Sequence, residues 1–104
     1  MSRGPDAATL VARALAHSAR LAGLSLTVRH ADWHRWASAT FAGARHELTI
    51  ELPDDQAANR WLDALPDADL PIRHHLVADA VVVRRHGEQD VLVAALEILT
   101  VEDG

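Results

Sequence analysis

Residues 91–101 read VLVAALEILTV, a β-branched run in which both alternating sets are apolar: Leu92, Ala94, Leu96 and Ile98 on one side, Val91, Val93, Ala95, Leu99 and Val101 on the other. Successive strand side chains point to opposite faces, so a strand written this way asks for cover on both. Glu97 alone interrupts it. Such a strand belongs in the middle of a sheet.

Residues 35–52 set the contrast. Leu48, Ile50 and Leu52 alternate with Glu47, Thr49 and Glu51, giving one dry and one wet face. Paired with the preceding segment, in which Ala37 and Phe41 alternate with Ser38 and Thr40, this reads as a hairpin turning at Ala42-Gly43-Ala44. Upstream, Leu24, Leu26 and Val28 also alternate with polar residues, but the pattern fails near Asp32. A strand over residues 24–41 would be far longer than the usual five or six, so a bulge or bend is expected at residues 31–33, leaving one bent strand or two.

Two segments carry helical spacing. Asp6 is placed to cap the first, with Pro5 packing toward Leu10; Leu10, Val11, Ala14, Leu15, Ser18 and Leu21 form its stripe and Gly23 ends it. Pro53-Asp54-Asp55 opens the second, where Ala57, Ala58, Trp61, Leu62 and Leu65 recur at steps of three and four before Pro66. A further strand is expected over residues 76–85, turned back by His86-Gly87-Glu88-Gln89.

Helix, strand, strand therefore occurs twice. The expected fold is α+β, an αββαββ two-layer sandwich with an antiparallel-rich four-stranded sheet and two helices on one face. A crossover through the second helix would set the strand at residues 76–85 parallel to the one at 47–52, with the last strand between them. The layout resembles a rearranged ferredoxin-like order, an analogy of fold that implies no activity. At 104 residues one domain spanning 1–104 is expected.

Composition narrows the chemistry. With no cysteine there is no disulfide, thiol nucleophile or thiolate metal site, and a reducing cytoplasm is compatible. Net charge is −5, divided as six Arg against three acids in residues 1–50 (+3) and four Arg against twelve acids in residues 51–104 (−8). Halves of opposite sign favour contact with each other, or between two copies, and oppose broad affinity for nucleic acid. Arg84-Arg85-His86 reads as a solvated strand end paired with Glu88 or Asp90. No run approaches the roughly 20 apolar residues that span a bilayer, so no membrane partner is expected.

No nucleophile elbow or phosphate loop is present, and Gly43 and Gly87 read as turn residues. The polar and aromatic cluster at residues 30–36 is the candidate ligand site, through His30, Trp33, His34 and Trp36. On a strand His30, Asp32 and His34 share a face, the alternative metal set. His74-His75 would add imidazoles, although a solvated strand entrance explains them as well.

Two helices cover only one face of a four-stranded sheet. The second apolar set of the last strand then needs a partner, which makes a non-catalytic, self-associating domain the leading expectation. The expected homodimer interface is Val81, Val83, Val91, Val93, Ala95, Leu99 and Val101, with no cofactor. The alternative is a small-ligand or metal-dependent protein, or an enzyme, using residues 30–36.

Overall fold

A computed structural model describes residues 6–103, so the expected packing of Pro5 on Leu10 lies outside the described residues. Helix α1 (Ala7–Leu21) begins where Asp6 accepts the backbone N–H of Thr9 at 2.8 Å. It ends in a Schellman turn: Leu24 N–H donates to Ala19 O and Gly23 N–H to Arg20 O, each at 2.9 Å. Gly23 has φ 78°, a conformation that costs glycine little and most residues more. Helix α2 (Gln56–Ala64) repeats the start, with Asp55 accepting the N–H of Ala58 at 2.8 Å, and closes in a 3₁₀ turn at Leu65–Asp67 that contains Pro66.

Four strands follow the helices in pairs: β1 (Thr27–Ala37) and β2 (Ala42–Pro53) after α1, β3 (His75–Glu88) and β4 (Val91–Glu102) after α2. The sheet order is β1-β2-β4-β3, and every adjacent pair is antiparallel. Because β2 and β3 each run against β4, they are parallel to one another across it. The expected α+β sandwich and the central place of the last strand are both observed.

Register assigns the faces. Leu52, Ile50, Leu48, His46 and Ala44 on β2 stand opposite Leu92, Ala94, Leu96, Ile98 and Thr100 on β4. All ten are buried. The buried stripes of α1 (Val11, Leu15, Ala19) and α2 (Ala58, Trp61, Leu62) share one hydrophobic core with this face. Leu15 and Ile50 are fully enclosed, and truncating either to alanine should cost about 2–5 kcal/mol, transfer plus cavity.

Three local expectations shift. The first hairpin turns at residues 38–41 rather than at Ala42-Gly43-Ala44. Ser38 N–H donates to Phe41 O at 2.7 Å while the Ser38 hydroxyl oxygen accepts from Phe41 N–H at 3.1 Å, so serine's local hydrogen bonding fixes the reversal. Gly43 lies inside β2 for a steric reason: a Cβ there would run into the Thr100 carbonyl and come within 2.9 Å of the Trp36 ring.

β1 is one strand, and its irregularity sits at Arg29 instead of residues 31–33, where the register slips between Val28 and His30. The bulge turns Arg29 toward acids on two other strands, described below. Finally, β3 continues through His86, Gly87 and Glu88, and the reversal is the two residues Gln89 and Asp90, with φ 49° and 70°. As an edge strand, β3 tolerates that polar end.

Candidate functional site on the open sheet face

Both helices lie against one face, and among the described residues no element covers the opposite face of the sheet. Strand parity puts every second residue there, and the pairing arranges them in rows across the sheet. The first row is Trp36, Gly43, Val101 and Leu76; the second is His34, Arg45, Leu99 and Asp79. The third is Asp32, Glu47, Glu97 and Val81; the fourth is His30, Thr49, Ala95 and Arg84. Apolar side chains gather on β4 and β3, interrupted by Glu97, Asp79 and Arg84, while β1 and β2 present mostly polar and charged ones.

All seven expected interface residues fall on or beside this face. Val81 and Val83 are 42% and 47% exposed, Leu76 57%. Val91, Ala95, Leu99 and Val101 are half-buried by their neighbours. Val93 is different, at 4% exposed. It pairs with Glu51 on β2 and His86 on β3, and the guanidinium of Arg29 reaches over from β1 to bond both Glu51 and, at 3.2 Å, Glu88. That arch roofs the end of β4 from within the chain. Arg29 donates hydrogen bonds to Glu51 and Glu88, which hold its charge more firmly than usual, Glu51 foremost, and His86, 3.2 Å from Glu88, joins Arg29 in lowering the Glu88 carboxyl.

The ligand candidates of residues 30–36 are divided between the two faces. His30, His34 and Trp36 stand on the open face, whereas Trp33 points to the helix side and stacks on His46, ring centres 6.4 Å apart. Same-face neighbours on a strand are about 7 Å apart, so His30, Asp32 and His34 are strung along the edge instead of converging. His34 Nε2 and Asp32 Oδ2 are 3.9 Å apart, and among the described residues no three His, Cys, Asp or Glu side chains gather closely enough to hold a metal ion. Trp36 packs beside Gly43 with its indole N–H buried and without a hydrogen-bond partner among the described residues.

The remaining candidates resolve locally. His75 Nδ1 lies 2.8 Å from Arg73 O, and His74 takes a left-handed φ of 65°. Arg85 turns to the helix side, where it bonds Asp63 at 2.8 Å and Asn59 Oδ1 at 3.1 Å, while Arg84 stays on the open face and His86 pairs with Glu88. No basic cluster forms there.

Sequence reasoning missed three residues that shape this face. Arg29 was an ordinary strand position until its bulge appeared; Glu97 read as a mere interruption; Gly43 read as a turn. The signal available for Glu97 was its place at the centre of an apolar run, where a carboxylate is costly unless paired.

No family model matches the chain, and no curated protein matches it. Among solved structures its fold is similar to that of a chain in the virion of a native gene transfer agent (GTA) particle, at 21% sequence identity and a TM-score of 0.56, the match covering 94% of this chain and 95% of that one.

Proposed function

We propose that this protein is a non-catalytic domain that associates with copies of itself through the open face of its sheet, as a homodimer or as a repeated subunit of a larger particle. The observation that carries this reading is that face itself: exposed Val81, Val83 and Leu76 beside half-buried Ala95, Leu99 and Val101, in a chain whose two helices lie on the other side. Four strands at about 4.8 Å spacing and some 12 residues of about 3.3 Å rise present roughly 750 Å². A standard interface takes about 800 Å² from each partner, so the face is of suitable size. The fold shared with a chain of a virion, an assembly of many subunits, supports the same reading at the level of architecture.

Sedimentation velocity across a micromolar concentration series tests it. The wild type should associate, and Val81→Glu and Val83→Glu should stay monomeric, with melting temperatures that match the wild type's at dilutions where it too is monomeric, because neither side chain is in the core. These positions are better probes than Val93, whose burial under Arg29 ties it to folding. A wild type that remains monomeric throughout, or variants that associate as the wild type does, would overturn the proposal.

A further inference from the structure

Resting on the open-face association above, we propose that the second copy docks one row out of register, so that Glu97 of each chain meets the partner's Arg84. Asp32, Glu47 and Glu97 stand in direct register on three adjacent strands, a line of carboxylates with paired Cα atoms about 4.5–5.5 Å apart. Like charges directly opposite one another repel. Neither Glu47 nor Glu97 has an ion-pair partner among the described residues. Glu97 is moreover half-buried, flanked by Ala95 and Leu99 along its strand and by Val81 across it. Covering this face would strip the carboxylate of water, and a desolvated carboxylate needs a cation.

Among the described residues the open face holds three arginines. Arg29 is committed to Glu51 and Glu88. Arg45 and Arg84 form no ion pair among the described residues and flank the carboxylate line, one row to either side. Arg45 already shares its row with Asp79 and lines a small hollow with Asp79 and Glu97. Arg84 sits on the edge strand beside a larger hollow, about 260 Å³, that has Ala95 within it and Glu47 and Glu97 among its walls.

Two copies stacked row on row would set carboxylate against carboxylate. A two-fold axis lying across the strands between the Glu97 row and the Arg84 row exchanges those rows instead. Each Glu97 then stands over the partner's Ala95, which is small enough to leave room, with the partner's Arg84 one strand away. The axis makes the contact twice, as an isologous interface requires. It also sets Asp32 against the partner's His30.

Charge reversal tests this docking geometry. Glu97→Arg and Arg84→Glu should each weaken self-association by about tenfold or more, since each places like charges in both symmetric contacts. An equimolar mixture of the two variants should recover near wild-type association, because both mixed contacts are again opposite in sign. The double variant should recover it alone, and circular dichroism melts should confirm that every variant is folded. Single variants that associate as the wild type does, or a mixture that fails to recover, overturn the docking geometry while leaving open-face association standing. A monomeric wild type overturns both.

Discussion

His46 Nε2 lies 3.1 Å from Thr100 Oγ1, both side chains buried on the helix-covered face. The Thr100 hydroxyl donates to Ala44 O at 3.3 Å, so it accepts from His46, which holds the neutral imidazole as its Nε2–H form. Burial pushes the His46 pKa below its ordinary value, the nearby His75 adds to the effect, and Asp6 opposes it. In the unfolded chain the imidazole titrates near about 6.5. Above that pH both states are neutral; as pH falls through it, the unfolded chain takes up a proton that the folded chain does not. Stability should therefore decline from about pH 6.5 downward and level off below the folded pKa. Urea midpoints measured between neutral and mildly acid pH should show this slope, and His46→Gln should flatten it; an equal slope in the variant would contradict the assignment. Asp6 and Glu88, whose carboxyls are lowered, lose their contribution as pH falls through their depressed folded pKa values, a separate and more acidic window.

Gly43→Ala should destabilise the fold by about 1–3 kcal/mol, the usual cost of overpacking. Backbone strain is not the cause, since Gly43 is not among the residues with positive φ. A methyl group would meet the carbonyl of Thr100, which is backbone and cannot swing aside, as well as the Trp36 ring. The denaturant midpoint should fall and the emission of Trp36 should change with it. A variant as stable as the wild type would show that β2 and β4 separate there at little cost.

Much of the fold was legible because its causes are local. Asp6 and Asp55 cap helices a few residues away, and the alternation of Leu48, Ile50 and Leu52 is visible within one strand. The two-sided apolar pattern of residues 91–101 was enough to centre β4 and to set Val91, Val93, Ala95, Leu99 and Val101 on the face away from the helices. What stayed hidden depends on partners distant in sequence. Arg29 bulges toward Glu51 and Glu88, 22 and 59 residues on. His46 finds Thr100 across 54 residues. Gly43 resembled a turn because glycine usually marks one, yet its requirement comes from a carbonyl on β4. The cluster at residues 30–36 was dense in sequence, but strand geometry sends Trp33 to one face and its neighbours to the other.

Ser18→Ala should cost about 1–3 kcal/mol through a group on another helix. The indole N–H of the buried Trp61 donates to Ser18 Oγ at 3.0 Å, joining α1 to α2. Removing the hydroxyl leaves that N–H enclosed without its acceptor. Trp61→Phe in the Ser18→Ala background removes the unsatisfied donor as well, so a double-mutant cycle should return a coupling of about 1 kcal/mol. Additive losses would mean that the bond contributes nothing to holding the helices together.

The β3–β4 turn offers a stabilising change. Gln89 and Asp90 form a two-residue loop between the paired Glu88 and Val91, and both have positive φ, the signature of a type I′ turn. That turn matches the twist of the flanking strands but favours Asn-Gly, since a left-handed conformation costs most side chains about 1–2 kcal/mol. Asp90 O also accepts the N–H of Asp54 at 3.2 Å, a bond that any residue at position 90 retains through its backbone. Gln89→Asn with Asp90→Gly should therefore raise stability by about 1 kcal/mol. Gln89→Val, β-branched where φ must be positive, should lower it. Thermal melts of the two variants should move in opposite directions from the wild type; a shift of both to lower temperature would mean that the turn holds its shape for a reason other than the backbone preference of these two residues.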